Sequence, residues 1–460
     1  MNDIHDSTGG TRSLIGNLLG GAAIAGGLRV AGAGLTFLFF LLLARTTNPE
    51  AFGAFSTVYS IATILGYVAN AGQHVAILKV SPATHANHGA GAERDVVSRG
   101  LAVVLLSSSL LLGAIMLVSS RTSWLPVINT DSSQNVWVLS AQLMVALAIA
   151  EYCASVLRAR SRIVFALAPR DIAWRIIAMV LIAYFASNSW PIDATIATTL
   201  TTLALTLAIA PQLLTLVVDL VRSIRSGGLL ETCSGAYFRE VGQFWISTSI
   251  KPIVDYAATI VVAFALGPAA AAAYFAADRL AKLLAMALIS IEQISAPLLA
   301  KSYHGGDLGR AQTIASATSA MATLVTLAGL AVYGLLGTQL LGLFGQEYTS
   351  AFPVLLVLAA AQLANTYAGS NVVTLLMTGG QNHLTAIWAI WGAIGASASF
   401  FAAASFGVLG AAVSTLVVTI CWNIHASRRC LTTSGIHSAA HIFKIRDFRN
   451  SLRNTSNEDS

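Results

Sequence analysis

Apolar runs of about 20 residues recur along the whole length of this chain. No stretch between them is long enough to hold a separate folded domain. A helix of that length spans the roughly 30 Å hydrocarbon layer of a bilayer. In hydrocarbon, backbone polar groups find partners only inside the segment, so such runs fold as helices. Charge agrees: 10% of the residues are charged and 56% hydrophobic, where a soluble domain carries about 25% charge. The chain is therefore expected to be an all-α integral membrane protein with about 12 transmembrane helices.

Hydropathy places these helices at about 14–44, 52–78, 100–120, 135–158, 171–187 and 194–221, two across 240–301, and then 311–335, 351–377, 384–404 and 408–427. Polar connections are expected at Ser81 to Arg99 and Arg222 to Arg239. With this count, nineteen of the 26 Lys and Arg fall on one side and only Arg45 and Arg121 on the other. The positive-inside rule then puts both termini in the cytoplasm. The net charge of +6 reads as topology rather than nucleic-acid binding. The chain divides into a cytoplasmic N-terminus (1–13), a six-helix bundle (14–222), a cytoplasmic linker (223–239), a second six-helix bundle (240–428) and a basic cytoplasmic tail (429–460), with a central cavity between the bundles. The N-terminus carries Asp3 and Asp6 and no basic n-region, so no cleaved signal peptide is expected. In the tail, Ile442, Ile445, Phe448 and Leu452 interleave with Lys444, Arg446, Arg449 and Arg453. That spacing fits a basic amphipathic helix on anionic membrane lipids or a solvated tail.

Charge inside the helices is the informative exception. Two apolar segments meet at a tight turn, Gly267-Pro268. The first carries Lys251 and Asp255, the second Asp278, Arg279, Lys282 and Glu292. Such residues cost at least about 2.5 kcal/mol each at bilayer depth and usually face protein or an aqueous cavity. Arg29 lies mid-helix in the first run and Glu151 in the fourth. Together they point to a transporter with a charged central cavity, lined by Arg29, Lys251, Arg279 and Lys282. The spacing equally allows Lys251–Asp255 and Lys282–Asp278 as i,i+4 ion pairs. Asp255, Asp278, Glu292 and Glu151 are candidates for ion or proton coupling, or counter-charges for neighbouring bases. Arg175 is expected to snorkel from the cytoplasmic end of its helix. His74 and His425 are expected to be structural, and the four cysteines to be apolar fillers, since no two have metal-ligand spacing. No cofactor or metal is expected.

The chain echoes itself. Pro49 to Phe55 and Pro268 to Tyr274 are both Pro-x4-Ala-aromatic, and both open a helix. Gln73 to Ser81 resembles Gln293 to Ser302, and Arg29 and Lys251 precede the two prolines by 20 and 17 residues. A six-plus-six repeat follows, with the halves related by an axis along the membrane normal and substrate between them.

Four blocks resemble a known family. They are Leu-Leu-Ala-Arg45 through Pro49-Glu-Ala-Phe-Gly53-Ala-Phe, Tyr274-Phe-Ala-Ala-Asp278-Arg279-Leu, Leu343-Phe-Gly345-Gln-Glu347-Tyr348, and Phe406-Gly407-Val-Leu-Gly410-Ala-Ala. In this order they are similar to the polysaccharide (Wzx-type) flippases of the multidrug/oligosaccharidyl-lipid/polysaccharide exporter superfamily. A departure falls at Gly379 to His383, where that family often carries basic residues. The resemblance implies a twelve-helix, two-bundle flippase of the bacterial inner membrane. Its substrate would be undecaprenyl-diphosphate-linked oligosaccharide for O-antigen or exopolysaccharide, and its partners polysaccharide polymerase and chain-length machinery. Arg29, Lys251, Arg279 and Lys282 would then bind the diphosphate. A cation-coupled multidrug exporter of the same superfamily is the nearest alternative. A membrane polymerase or acyltransferase fits poorly, because the longest outward loop, Arg121 to Gln134, carries only Arg121 and Asp131 as ionisable groups. The protein is not expected to be an enzyme.

Overall fold

The computed structural model describes residues 27–28, 31–121, 136–226 and 235–440. The helices are α1 (Ala31–Thr46), α2 (Pro49–Ala69), α3 (Gln73–Arg121), α4 (Val136–Ala159), α5 (Ile163–Ala168), α6 (Trp174–Ser187), α7 (Ala194–Ser226), α8 (Gly235–Leu266), α9 (Pro268–His304), α10 (Leu308–Gly342), α11 (Phe352–Ala368), α12 (Asn371–Met377) and α13 (Gln381–Ser434). A π-helical turn, Pro169–Ala173, joins α5 to α6, and a 3₁₀ turn, Gln346–Ala351, precedes α11. The described residues are almost entirely helical, and eight helical spans are long and apolar enough to cross a membrane.

Local chemistry sets the starts. Asn48 caps α2, its side chain accepting from the Ala51 amide at 2.7 Å, and Pro49 takes the first turn, where a missing N–H costs nothing. Pro268 opens α9 in the same way, after Gly267 at φ 91°. Asp307 caps α10 through the Arg310 amide. Two glycines divide the longest helices. α13 has 54 residues, about 80 Å at 1.5 Å per residue, more than twice the hydrocarbon thickness. Gly407 (φ 67°) breaks it, and Gly89 (φ 80°) breaks α3. Each is two helices joined at a residue without a Cβ.

Several boundaries differ from those expected. Ser81 to Arg99, expected as a polar loop, is helical on both sides of Gly89. Its buried carboxylate, Glu93, gathers partners from within the segment and beyond it. Ser81 Oγ donates to Glu93 Oε1 at 3.0 Å, and His85 Nδ1 lies 2.6 Å from Glu93 Oε2. Arg160 reaches Glu93 (3.0 Å) and Asp219 on α7 (2.9 Å). The second expected helix is interrupted at Asn70–Gly72, where Ala71 and Gly72 have positive φ. The fifth begins early, at Ile163, and passes through the π turn. The tenth is cut at Gly369 (φ 82°) into α11 and α12. The start of the first helix and most of the tail, including the amphipathic pattern at 442–453, lie outside the described residues.

The end of the described chain is a strap. After Ser434 the chain leaves the helix at Gly435 and crosses α10, α11 and α12. The His437 amide donates to Gln312 Oε1 at 2.6 Å, and the Ala440 amide donates to the Tyr367 carbonyl at 2.9 Å. Ser438 Oγ donates to Asn371 Oδ1, and the Ser438 carbonyl accepts from Ser319 Oγ. Asn371 also bonds Asn423 at 3.3 Å and Ser427 at 3.2 Å. The strap and these side chains thus satisfy the polar groups opened by the α11–α12 break, as burial demands.

α2 is the hub. It packs on α4 and α7 on one side and on α8 and α9 on the other. The two halves come closest at Gly53, where an added Cβ would lie 1.7 Å from the Pro268 carbonyl oxygen. Around this point Phe40, Phe52, Phe55 and Phe275 are fully buried. Phe275 meets Phe40 at 4.8 Å and Phe52 at 5.9 Å, edge to face. Arg45, at the end of α1, donates to the carbonyls of Gly342 and Leu343, which have no helical partner at the end of α10. At the other end of the seam, Lys79 pairs with Glu240 and the Trp245 indole donates to the Val68 carbonyl at 2.9 Å. Gly53→Ala should therefore destabilise the fold by about 3 kcal/mol or more. Gly113→Ala, whose Cβ would meet nothing within 4 Å, should be neutral. Thermal unfolding of the detergent-solubilised variants checks both.

Candidate functional site

Three cavities open beyond the aromatic contacts, and Tyr256 of α8 borders all of them. One, of about 450 Å³, lies between the halves, with Thr63 and Tyr67 of α2 facing Lys251, Asp255 and Trp388. A second, of about 190 Å³, lies within the N-terminal half. The third, of about 460 Å³, lies within the C-terminal half, among α8, α9, α11 and α13.

The helical repeat builds the third cavity. On α9, Asp278, Lys282 and Glu292 all line it, at offsets that return to one face. On α8, Lys251 and Asp255 do the same, and on α11 Gln362 and Asn365. Trp388 and Trp391 come from the first limb of α13, Thr419 and Trp422 from the second. The i,i+4 pairs form: Lys251 Nζ meets Asp255 Oδ1, and Lys282 Nζ lies 2.7 Å from Asp278 Oδ2. Lys282 also donates to the Asp255 carbonyl at 3.0 Å, tying α9 to α8.

Arg279 stands apart. Its guanidinium lies 4.3 Å from the Phe275 ring centroid, 5.1 Å from Tyr256 and 5.5 Å from Phe40. Three elements thus hold it by cation–π contact, at the inner edge of the aromatic cluster. Its Nη2 is 3.4 Å from Asp278 Oδ2 without hydrogen-bond geometry, and Nε has no acceptor. Both nitrogens are sealed from solvent by these rings, while the residue as a whole borders the third cavity; a guanidinium there suits a planar anion. Glu292 has no ion-pair or hydrogen-bond partner among the described residues. Arg29 lies outside the described residues.

The N-terminal cavity was not foreseen. The π turn rotates Arg170, Asp171, Trp174 and Arg175 towards α2 and α4; such turns are common at functional sites. Glu151 is held between Arg170 and Arg158, the latter at 3.6 Å. Arg175, expected to snorkel, instead lines this cavity, stacked 4.6 Å from the Trp174 centroid and bonded to the carbonyls of Arg170 and Asp171. Arg170 was counted among the cytoplasmic loop charges and is turned inward by the same register shift. Two apolar-face histidines differ. His425 Nδ1 accepts from the Trp391 indole at 3.3 Å. His74 Nδ1 is buried without a hydrogen bond, and its ring packs edge-on against Tyr67 at 5.6 Å.

These features define a polytopic helical membrane protein with paired charges around a split cavity. No protein-family model and no curated protein sequence matches the chain. Solved structures do match its fold. A multidrug resistance MATE family transporter of the MOP superfamily, in its inward-facing conformation, superposes with a TM-score of 0.63 at 15% identity, covering 90% of this chain and 95% of that one. The outward-facing conformation of such a transporter gives 0.59 at 12% identity, over 90% and 96%. A MOP superfamily transporter from Pyrococcus furiosus, described as having a binding pocket of reverse polarity, gives 0.59 at 13%, over 90% and 96%. The chain has the fold of the MATE transporters of the MOP superfamily.

Burial of the Arg170–Glu151 pair makes a prediction. Removing one partner of such a pair costs about 3–5 kcal/mol when the other charge is stranded; Arg158, 3.6 Å from Glu151, reduces that cost here. Arg170→Met should lower the melting temperature more than the double variant Arg170→Met/Glu151→Gln does. Thermal unfolding of the three proteins in detergent tests this.

Proposed function

We propose that the chain is a transporter with twelve membrane crossings that moves undecaprenyl-diphosphate-linked oligosaccharide across the bacterial inner membrane for surface polysaccharide synthesis. The crossings are α1, α2, the limb of α3 after Gly89, α4, α5 with α6, α7, α8, α9, α10, α11 with α12, and the two limbs of α13. Residues 14–222 and 240–428 form the two six-helix halves, and both termini face the cytoplasm. The transporter fold supplies alternating access, with the halves rocking about a fixed site.

The observation that carries the substrate class is Arg279, a guanidinium held by three aromatic rings where it borders the cavity. A guanidinium in that position fits a diphosphate. Lys251 and Lys282 stand in the same cavity, and Arg170 and Arg175 across the seam. An inward-open state takes the diphosphate-sugar headgroup while the polyprenyl tail stays in lipid. Binding favours the outward state only through a difference in how the two states hold the headgroup. Polysaccharide polymerase would receive the product outside. Glu292, a cavity carboxylate without a cationic partner among the described residues, favours a second reading, cation-coupled multidrug export.

A deletion strain separates the two. Lipid-linked oligosaccharide should accumulate on the cytoplasmic face while surface glycan disappears. Losing hydrogen bonds to a charged group costs about 1.5–3 kcal/mol, so Arg279→Ala should cut rescue about tenfold or more. Arg279→Lys should restore part of it. Normal surface glycan with raised sensitivity to cationic drugs would replace flippase by multidrug exporter.

A further inference from the structure

We infer that the cavity of the C-terminal half is a carbohydrate subsite. Trp388 and Trp422 stack a sugar ring of the glycan beside its diphosphate, and Gln362 and Asn365 bind the hydroxyls. This rests on the lipid-linked glycan reading and names what part of that substrate occupies which cavity.

Three of the chain's eight tryptophans line this one cavity. Trp388 and Trp391 are three residues apart on the first limb of α13, so they share a face. Trp422 approaches from the second limb, past the Gly407 turn. All three are half-buried rather than sealed in the core. The indole N–H of Trp391 is used on His425, whereas those of Trp388 and Trp422 have no hydrogen-bond partner among the described residues. Leucine would fill apolar space here as well. Flat indoles with free N–H groups suit a ligand that is apolar on its face and polar on its rim.

Amides supply the rim. The Gln362 side chain has no partner among the described residues. Asn365 accepts from Asn423 at 3.2 Å through Oδ1, which leaves its own amide N–H groups to donate. Both amides are half-buried at the cavity wall, so their free groups are open to a ligand's hydroxyls. A pyranose meets both demands, since its C–H faces lie on indoles and its hydroxyls reach Gln362, Asn365 and the Glu292 carboxylate. A cationic guest would also use an aromatic box, but Lys251 already stands 5.8 Å over the Trp388 ring. A lipid tail would leave the amides unpaired. The volume of about 460 Å³ suits a compact ligand of this kind.

Lys251 also orders the substrate. Its ammonium touches both the ion-pair cluster and the Trp388 face. A diphosphate bound at Lys251 and Arg279 therefore presents its first sugar to Trp388, and the chain grows towards Trp422.

The test compares affinities of the purified, nanodisc-embedded protein for undecaprenyl diphosphate alone and for the same lipid bearing one hexose or one N-acetylhexosamine. The readout is the ratio of glycosylated to bare lipid binding. Wild type should prefer a glycosylated probe. Trp388→Leu should lower the ratio about tenfold, the scale of one lost aromatic stack, while Trp388→Phe keeps most of it. Gln362→Ala should lower the ratio too. It has no internal bond to lose, so it keeps the test open if a tryptophan variant fails to fold. Arg279→Ala should weaken both probes and leave the ratio unchanged. If Trp388→Leu and Gln362→Ala keep the wild-type ratio, or wild type binds all probes equally, the subsite is overturned and the lipid-diphosphate reading stands. If wild type binds none of them, that reading falls and the subsite falls with it.

Discussion

Everything in this molecule is hung on the approach of α2 to α9. Gly53 has no side chain, and the Pro268 carbonyl occupies the space a Cβ would need. The two helices begin with matching proline turns, so the contact joins two helix starts of the same pattern. Phe40, Phe52 and Phe275 pack around it without exposure. Once that end is closed, the remaining space opens on the far side of the rings. Arg279 follows Phe275 by one helical turn, which puts a fixed cation at the boundary between sealed core and cavity.

Charge economy then decides what the cavity offers. Each ionisable group taken into a membrane protein needs a counter-charge, a carbonyl or an aromatic face. Lys251 and Lys282 take carboxylates one turn away, Arg170 takes Glu151, and Arg175 takes carbonyls and Trp174. These pairings hold helices together and cancel most of the field. What is left over is small and directional: the N–H groups of Arg279, the Glu292 carboxylate, the Gln362 amide. In the function proposed above, recognition rests on those residues because the other charges have partners.

Much of this was legible in the sequence, for definite reasons. Helix-length apolar runs can do little else in hydrocarbon, so the helical fold followed from them. The Lys251–Asp255 and Lys282–Asp278 contacts were one of the two readings that the spacing allowed. Other features depended on distant contacts. Ser81 to Arg99 looked like a loop because it is polar, yet Glu93 binds Arg160, 67 residues away, and the segment stays helical. A π turn adds one residue of register, and hydropathy carries no trace of it, so Arg170 and Arg175 were assigned to the surface. The Gly369-Ser370-Asn371 triplet was a readable break signal inside what otherwise scanned as one apolar helix.

The strap has a bearing on biogenesis. Asn371, Ser319 and the carbonyl of Tyr367 depend on backbone and side chains at residues 437–440. Those residues leave the ribosome after every helix they bind. Until they emerge, the polar groups they bind at the α11–α12 break lack these partners, so this part of the packing forms after the helices it joins.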